Sequence, residues 1–288
     1  MDLIDINNTQ LEVKQIAGKA ELAPLVFLHE GLGSVSLWTQ RGLDWPQAVC
    51  EATGRAGLVY SRRGYGRSDP VPAGRNWLGA DYMHLEAWEV LPALLAKLQL
   101  KNPVLLGHSD GATIALLYAS RSPVTACIAM APHVLVEDLA VKAITQAKIL
   151  YERSAGPPQA SSAPLPNERG SVPPEAREAT SVGVNNLRQR LAKHHADVDG
   201  AFWQWNDVWL SEPFSHFDIR PECRDITAPL LLVQGIDDEY GTMRQLDEIA
   251  AAVPHAQQLR LADCGHSPQR DQPQKTIEAM ANFLKPTR

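Results

Sequence analysis

Val104-Leu105-Leu106-Gly107-His108-Ser109-Asp110-Gly111-Ala112 decides how this chain folds. Three apolar residues end abruptly at a Gly-x-Ser-x-Gly pattern, and a helical pattern begins at Ala112 and runs to Ser120. A short, wholly apolar run bounded by glycine suits a strand covered on both faces by helices. Such a strand-turn-helix junction is so sharp that the central serine takes strained backbone angles, and a glycine two residues to either side avoids a clash with it. The turn lifts the hydroxyl of Ser109 clear, with the N-terminus of a helix behind it to favour negative charge.

Working outward, similar runs occur at Pro24 to Leu28, Gly57 to Tyr60, Thr125 to Ala131 and Pro229 to Val233, with a weaker one at Gln258 to Leu261. Thr9 to Ile16 alternates imperfectly between polar and apolar residues and is expected to be a half-exposed edge strand that opens the sheet. Helical patterns at Tyr82 to Leu98, Thr242 to Ala252 and Gln274 to Leu284 lie between the later runs. This alternation predicts an α/β fold with a mostly parallel central sheet flanked by helices. Between Pro132 and Pro229 the rhythm breaks and the pattern turns mainly helical. The expected organisation is therefore a core of residues 1–132 and 226–288, with a helical cap inserted at 133–225. Within the cap, residues 156–174 carry six prolines among Ala, Ser and Gly. That composition can neither propagate a helix nor pair as a strand, so a long mobile loop is expected there.

Bulk properties exclude several classes. With 288 residues, 44% hydrophobic and 21% charged, the chain has the composition of a folded globular protein. A formal net charge of -6 offers no footprint for phosphate backbones or anionic lipid, so neither nucleic acid nor membrane is an expected partner. Cys50, Cys127, Cys223 and Cys264 form no C-x-x-C pair and read as free thiols, with no metal site and no cofactor called for. The acidic start Met1-Asp2-Leu3-Ile4-Asp5 lacks the basic and apolar regions of a secretory signal, and the cytoplasm is the expected location. Oligomeric state is not written in any of these features.

A serine hydroxyl is a poor nucleophile near neutrality unless an imidazole removes its proton, and that imidazole needs a carboxylate to fix its tautomer. Val233-Gln234-Gly235-Ile236-Asp237-Asp238 places acids just beyond the end of a strand; Asp238 is the choice, with Asp237 and Glu239 as competitors. Cys264-Gly265-His266-Ser267-Pro268 follows the last strand and precedes the last helix, which puts His266 in a loop at the same edge. His255, in contrast, precedes that strand. The tetrahedral intermediate of acyl transfer also needs two N–H donors for its oxyanion. Asp110, next after Ser109, is one expected donor, and Gly31 in His29-Glu30-Gly31-Leu32-Gly33-Ser34 is the other.

Together these residues resemble the α/β-hydrolase superfamily, and within it the enol-lactonases, meta-cleavage product hydrolases and small carboxylesterases. His29 to Gly33 is similar to the family's H-G-x-x-G loop, Arg63-Gly64-Tyr65-Gly66-Arg67-Ser68 to its R-G-x-G-x-S segment, Gly107 to Gly111 to its nucleophile elbow, and Gly265-His266 to its histidine loop. The chain order Ser109, Asp238, His266 is that of the fold. The family's acid stands three residues after a glycine, which from Gly235 selects Asp238. Arg63 and Ser68 are by this resemblance structural braces. Glu30 departs from the pattern, standing where the family has a glycine. Either its side chain turns away, or the site makes use of an extra acid. Phe202, Trp203, Trp205 and Trp209 fall in the family's lid region. Trp205 and Trp209 are four apart and so share a helix face; such an aromatic stripe is more often lid core than ligand wall, and where it does face the ligand these two are candidate pocket walls along with Glu30.

The resemblance implies a cofactor-free serine hydrolase acting through an acyl-enzyme on a small carboxylic ester or lactone with an apolar or aromatic part. A C–C hydrolase of aromatic ring-cleavage products would use the same residues. A non-catalytic small-molecule-binding protein on the same scaffold is a further alternative. Haloalkane dehalogenation is disfavoured, because that chemistry places an aspartate where Ser109 stands.

Overall fold

The computed structural model describes residues 2–154 and 187–285. The proline-rich stretch 156–174, expected to form a mobile loop, lies outside the described residues.

Ten strands are present among the described residues: β1 (Asp2–Ile6), β2 (Thr9–Ile16), β3 (Leu25–Leu28), β4 (Thr39–Gln40), β5 (Leu43–Asp44), β6 (Gly57–Tyr60), β7 (Val104–His108), β8 (Ala126–Met130), β9 (Leu230–Gly235) and β10 (Gln257–Leu261). Eight of them form one sheet in the order β1-β2-β6-β3-β7-β8-β9-β10, while β4 and β5 pair separately. From β6 to β10 every neighbouring pair is parallel. Every residue of β3, β7, β8 and β9 is buried, as continuous apolar strands between two helical layers require.

One expectation is corrected. Thr9–Ile16 does not open the sheet, because β1 pairs antiparallel along its outer edge. The hairpin between them turns on Asn7 (φ 53°) and Asn8 (φ 64°), the left-handed pair that a tight two-residue turn demands and asparagine tolerates. Asp2-Leu3-Ile4-Asp5-Ile6 hides this strand, since its acids break the apolar pattern. A helix at Trp45–Thr53 also lies outside the expected pattern, although Asp44 caps it by accepting from the Gln47 amide at 3.3 Å and Pro46 sits in its first turn.

The predicted helix from Tyr82 is continuous to Lys97, passing through a π-helical stretch at Glu86–Val90. Between β8 and β9 the described regular elements are helical, the longest being Asp138–Ser154 and Val198–Trp209. This is the helical insertion of the expected fold class. In a sheet of this kind the loops that follow the parallel strands gather at one edge, which is where a ligand crevice forms. The loops after β3, β7, β9 and β10 carry Glu30 and Gly31, Ser109, Asp238 and His266 respectively. No described helix is long and apolar enough to cross a membrane, and no described cluster of His, Cys, Asp or Glu is arranged to hold a metal ion.

Candidate active site

Ser109 sits at φ 54° and ψ -120°, in the left-handed half of backbone space, immediately before the helix Asp110–Arg121. Strain of this kind persists only where the surroundings enforce it. Here they do so through close packing of the two flanking glycines. A Cβ on Gly107 would lie 2.1 Å from the Gly111 carbonyl oxygen, and one on Gly111 would lie 2.0 Å from the carbonyl oxygen of Leu28. The elbow is thus pressed against itself and against β3.

The hydroxyl Oγ of Ser109 lies 2.9 Å from His266 Nε2. On the other side of the ring, His266 Nδ1 lies 2.8 and 3.0 Å from the two carboxylate oxygens of Asp238. Asp238 is buried and also accepts from the Tyr240 amide at 2.8 Å, the Gly241 amide at 3.2 Å and the Gln234 side chain at 3.1 Å. Burial pushes its carboxyl up, but the charge and hydrogen bond of His266, with the Tyr240 amide, outweigh it and hold the group below the usual carboxylate range. The competing acids sit elsewhere: Asp237 is exposed, and Glu239 reaches back to accept the His266 backbone N–H at 3.0 Å.

Two further histidines flank the His266 ring, with centroids 5.1 Å (His108) and 5.5 Å (His133) away. His108 Nδ1 lies 2.6 Å from Glu30 Oε2, and its Nε2–H donates to the His266 carbonyl at 2.7 Å. Burial lowers His108, but the Glu30 carboxylate and the carbonyl more than compensate and raise it; His108 in turn outweighs burial at Glu30 and lowers that carboxyl. The side chain of Glu30 therefore turns onto a neighbouring ring. His133 packs edge-on to Trp209 at 5.0 Å, and its Nδ1 has no hydrogen-bond partner among the described residues. Burial, with the positive field of His266, drives its pKa down to about 3.

The helical insertion closes over the elbow. Trp205 lies against Gly31 so tightly that a Cβ there would be 2.2 Å from the indole nitrogen. Trp209 donates to Asp110 Oδ1 at 3.3 Å, and Tyr82 donates to Asp110 Oδ2 at 2.6 Å. Arg62, also buried, stands 3.7 Å from the same carboxylate and donates to the Glu30 carbonyl at 2.9 Å. Burial raises the Asp110 carboxyl despite these partners. Around Ser109 opens a cavity of about 550 Å³ walled by Gly31, Leu37, Ile144, Trp205, Trp209 and Tyr240, with Glu30, Arg41, Arg190 and Arg270 among its polar contributors.

The predicted residues thus converge: Ser109, His266, Gly31, Asp110, Glu30, Trp205 and Trp209 line one cavity, with Asp238 behind His266. Ser68 braces the loop after β6 by donating to the Ser61 carbonyl at 2.6 Å, and Arg63 bonds the Pro70 carbonyl at 3.2 Å. Sequence reasoning passed over Arg62, Tyr82, His108, His133 and Tyr240. Of these only His108 carried a signal, as the residue between Gly107 and Ser109.

The model of a family described as the alpha/beta hydrolase family matches residues 25–279. The chain is 26% identical to the mouse (Mus musculus) sn-1-specific diacylglycerol lipase ABHD11, over 97% of this chain and 87% of that one. Among solved structures it is similar to the enol-lactonase from Burkholderia xenovorans LB400, with a TM-score of 0.67, 18% identity and coverage of 98% of this chain and 99% of the other. It is similar also to a carboxylesterase structure from Nitrososphaera gargenis, with a TM-score of 0.67, 16% identity and coverage of 98% and 97%. With a match spanning the sheet from β3 to the last helix, the chain belongs to the alpha/beta hydrolase family.

Proposed function

We propose that this protein is a serine hydrolase that cleaves a small carboxylic ester or lactone, with Ser109 as nucleophile, His266 as base and Asp238 as the acid that orients the histidine. The observation that carries this reading is the unbroken hydrogen-bonded chain from Ser109 Oγ through both nitrogens of His266 to Asp238, opening onto a cavity of about 550 Å³. Such a volume falls within the roughly 300–1,000 Å³ of small-molecule sites. As Ser109 Oγ attacks the carbonyl carbon, its proton passes to His266 Nε2, and Asp238 stabilises the imidazolium that forms. The backbone N–H groups of Gly31 and Asp110, both on the cavity wall, receive the oxyanion. Asp110 opens a helix, so the helix dipole favours the same charge. Collapse of the tetrahedral intermediate expels the alcohol, which takes its proton from His266. Water activated by His266 then releases the acid.

The ester-cleaving names of the similar proteins support the bond type, and Leu32, Leu37, Ile144, Leu191, Trp205 and Trp209 supply apolar wall for an acyl or alcohol part. The described helices within 133–225 act as the cap that provides Trp205 and Trp209. Cys50, Cys127, Cys223 and Cys264 are all unpaired and buried, which suits the reducing cytoplasm. The test is labelling by a fluorophosphonate, read by mass spectrometry, together with hydrolysis of p-nitrophenyl acetate, longer esters and lactones. Modification of Ser109 alone, and loss of turnover by at least about 10⁴-fold in both Ser109→Ala and His266→Ala, is expected, with the double variant little worse. Turnover of ring-cleavage diketones but of no ester or lactone would move the assignment to C–C hydrolysis. A wild-type protein without either activity would point to a binding protein.

A further inference from the structure

Glu30 and His108 belong to no step above, yet they make a polar contact of 2.6 Å beside Ser109. We infer that they form a charged positioning pair that clamps the His266 backbone carbonyl, locking the oxyanion loop to the histidine loop. The inference rests on the serine-hydrolase reading for its kinetic consequences only.

The geometry carries it. His108 ends β7 and is buried, and each of its ring nitrogens faces an oxygen: Glu30 Oε2 on one side, and the His266 carbonyl at 2.7 Å on the other. A carbonyl can only accept, so Nε2 must carry a proton. An ionised carboxylate also only accepts, so Nδ1 must carry one as well. A neutral ring would set a lone pair against one of these oxygens. Gln269 Nε2 stands 3.0 Å from Nδ1 while its own Oε1 is buried without a hydrogen-bond partner among the described residues; turning the amide over, which exchanges two atoms of equal outline, gives that oxygen the Nδ1–H as donor. Gln269 lies just after the histidine loop, so one imidazolium ties together Glu30 on the oxyanion loop, the residue before Ser109, and the segment bearing His266. The pairing also explains how a carboxylate can stand beside a site that stabilises an anion: its charge is cancelled by His108. The other titratable groups facing His108 are His266, Asp238, His29 and His133, and only Glu30 is in direct contact as a counter-charge.

The sign of the pH dependence follows. The pKa of His108 is raised, so its proton is held above the usual imidazole range and lost as pH rises through the raised value. The clamp therefore fails on the alkaline side. In Glu30→Gln the ring loses its counter-charge and deprotonates at lower pH.

The experiment compares the full chain with Glu30→Gln and Glu30→Asp. For Glu30→Gln, kcat should fall roughly 10- to 100-fold at little changed KM, the scale on which small misplacements of catalytic groups act. The alkaline limb should move to lower pH, with Glu30→Asp restoring its position. Imidazole ¹⁵N spectra at pH 7.5 should show both His108 nitrogens protonated in the wild type and only one in Glu30→Gln. Wild-type kcat with an unmoved limb in Glu30→Gln would overturn the clamp, as would a singly protonated His108 in the wild type. If Glu30→Gln fails to fold by circular dichroism, the wild-type spectrum and Glu30→Asp decide. If Ser109 resists the fluorophosphonate, the hydrolase reading falls while the spectra still test the pair.

Discussion

The two walls around His266 treat the same side chain in opposite ways. His108 and His133 are equally buried, at 1% and 3% exposure, and their rings stand at similar distances from His266. One is raised and the other falls to about 3. Burial acts downward on both, so the difference lies in the partner: Glu30 contacts His108, whereas His133 meets Trp209 edge-on. The His266 ring, which lies between them, has a carboxylate on one nitrogen and a neutral hydroxyl on the other. Two imidazoles buried alike are thus shifted in opposite directions by what their nitrogens touch.

The largest effect comes from changing the partner of the ring between them. Asp238→Asn replaces an acceptor with an amide that can favour the wrong tautomer of His266. Turnover of an ester should drop on the order of 10⁴-fold with the fold intact. Asp237→Asn, changing an exposed neighbour, should cost less than about tenfold, since an exposed charge contributes little. Kinetics of both variants on one ester, each shown folded by circular dichroism, decide the matter. The reverse ranking would transfer the orienting role to Asp237.

A smaller effect is expected on the His133 wall. Trp209→Phe keeps an aromatic ring against His133 but removes the indole donor to Asp110, leaving that buried carboxylate with Tyr82 and the more distant Arg62. Loss of one donor to a buried charged acceptor should cost about 1–3 kcal/mol in urea unfolding. Unchanged stability would mean that Tyr82 and Arg62 satisfy Asp110 unaided.

What was legible in the sequence follows the same division. The convergence of Ser109, His266 and Asp238 could be read because each lies beside a local backbone signal: an apolar strand ending in glycine, or a loop before a helix. The strands of the eight-stranded sheet were legible from their apolar runs, except β1, whose alternation is broken by Asp2 and Asp5; the two-residue strands β4 and β5 are too short to leave a pattern. His133 and Tyr82 were not legible, because nothing near them in sequence marks them, and Arg62 and Tyr240, though next to Arg63 and two residues from Asp238, carry no pattern of their own. They reach the site only by tertiary packing, as Arg62 does from beyond β6 to meet Glu30 and Asp110. Glu30 was noticed as a departure, but its partner could not be named until β7 placed His108 beside it.

The smallest effect tests the His133 side of the comparison through stability. Its folded pKa, about 3, lies below the ordinary imidazole value, so between these two pH values the unfolded chain binds a proton that the folded chain refuses. The contribution of His133 therefore makes the protein less stable as pH falls, by up to about 1.4 kcal/mol per pH unit. His108 acts in the opposite sense and over a different range, since its raised pKa contributes stability that is lost as pH rises. Replacing His133 with phenylalanine keeps a ring against Trp209 and deletes the titration. Urea unfolding at pH 6.0, 5.0 and 4.0 should show the wild type losing stability more steeply than His133→Phe, the gap widening by about one kcal/mol or slightly more at each step. His195, lowered to about 4 by burial, is common to both proteins and cancels in the difference. Parallel curves would mean that His133 keeps its proton in the folded state. The partner, and not burial, would then have failed to distinguish the two walls.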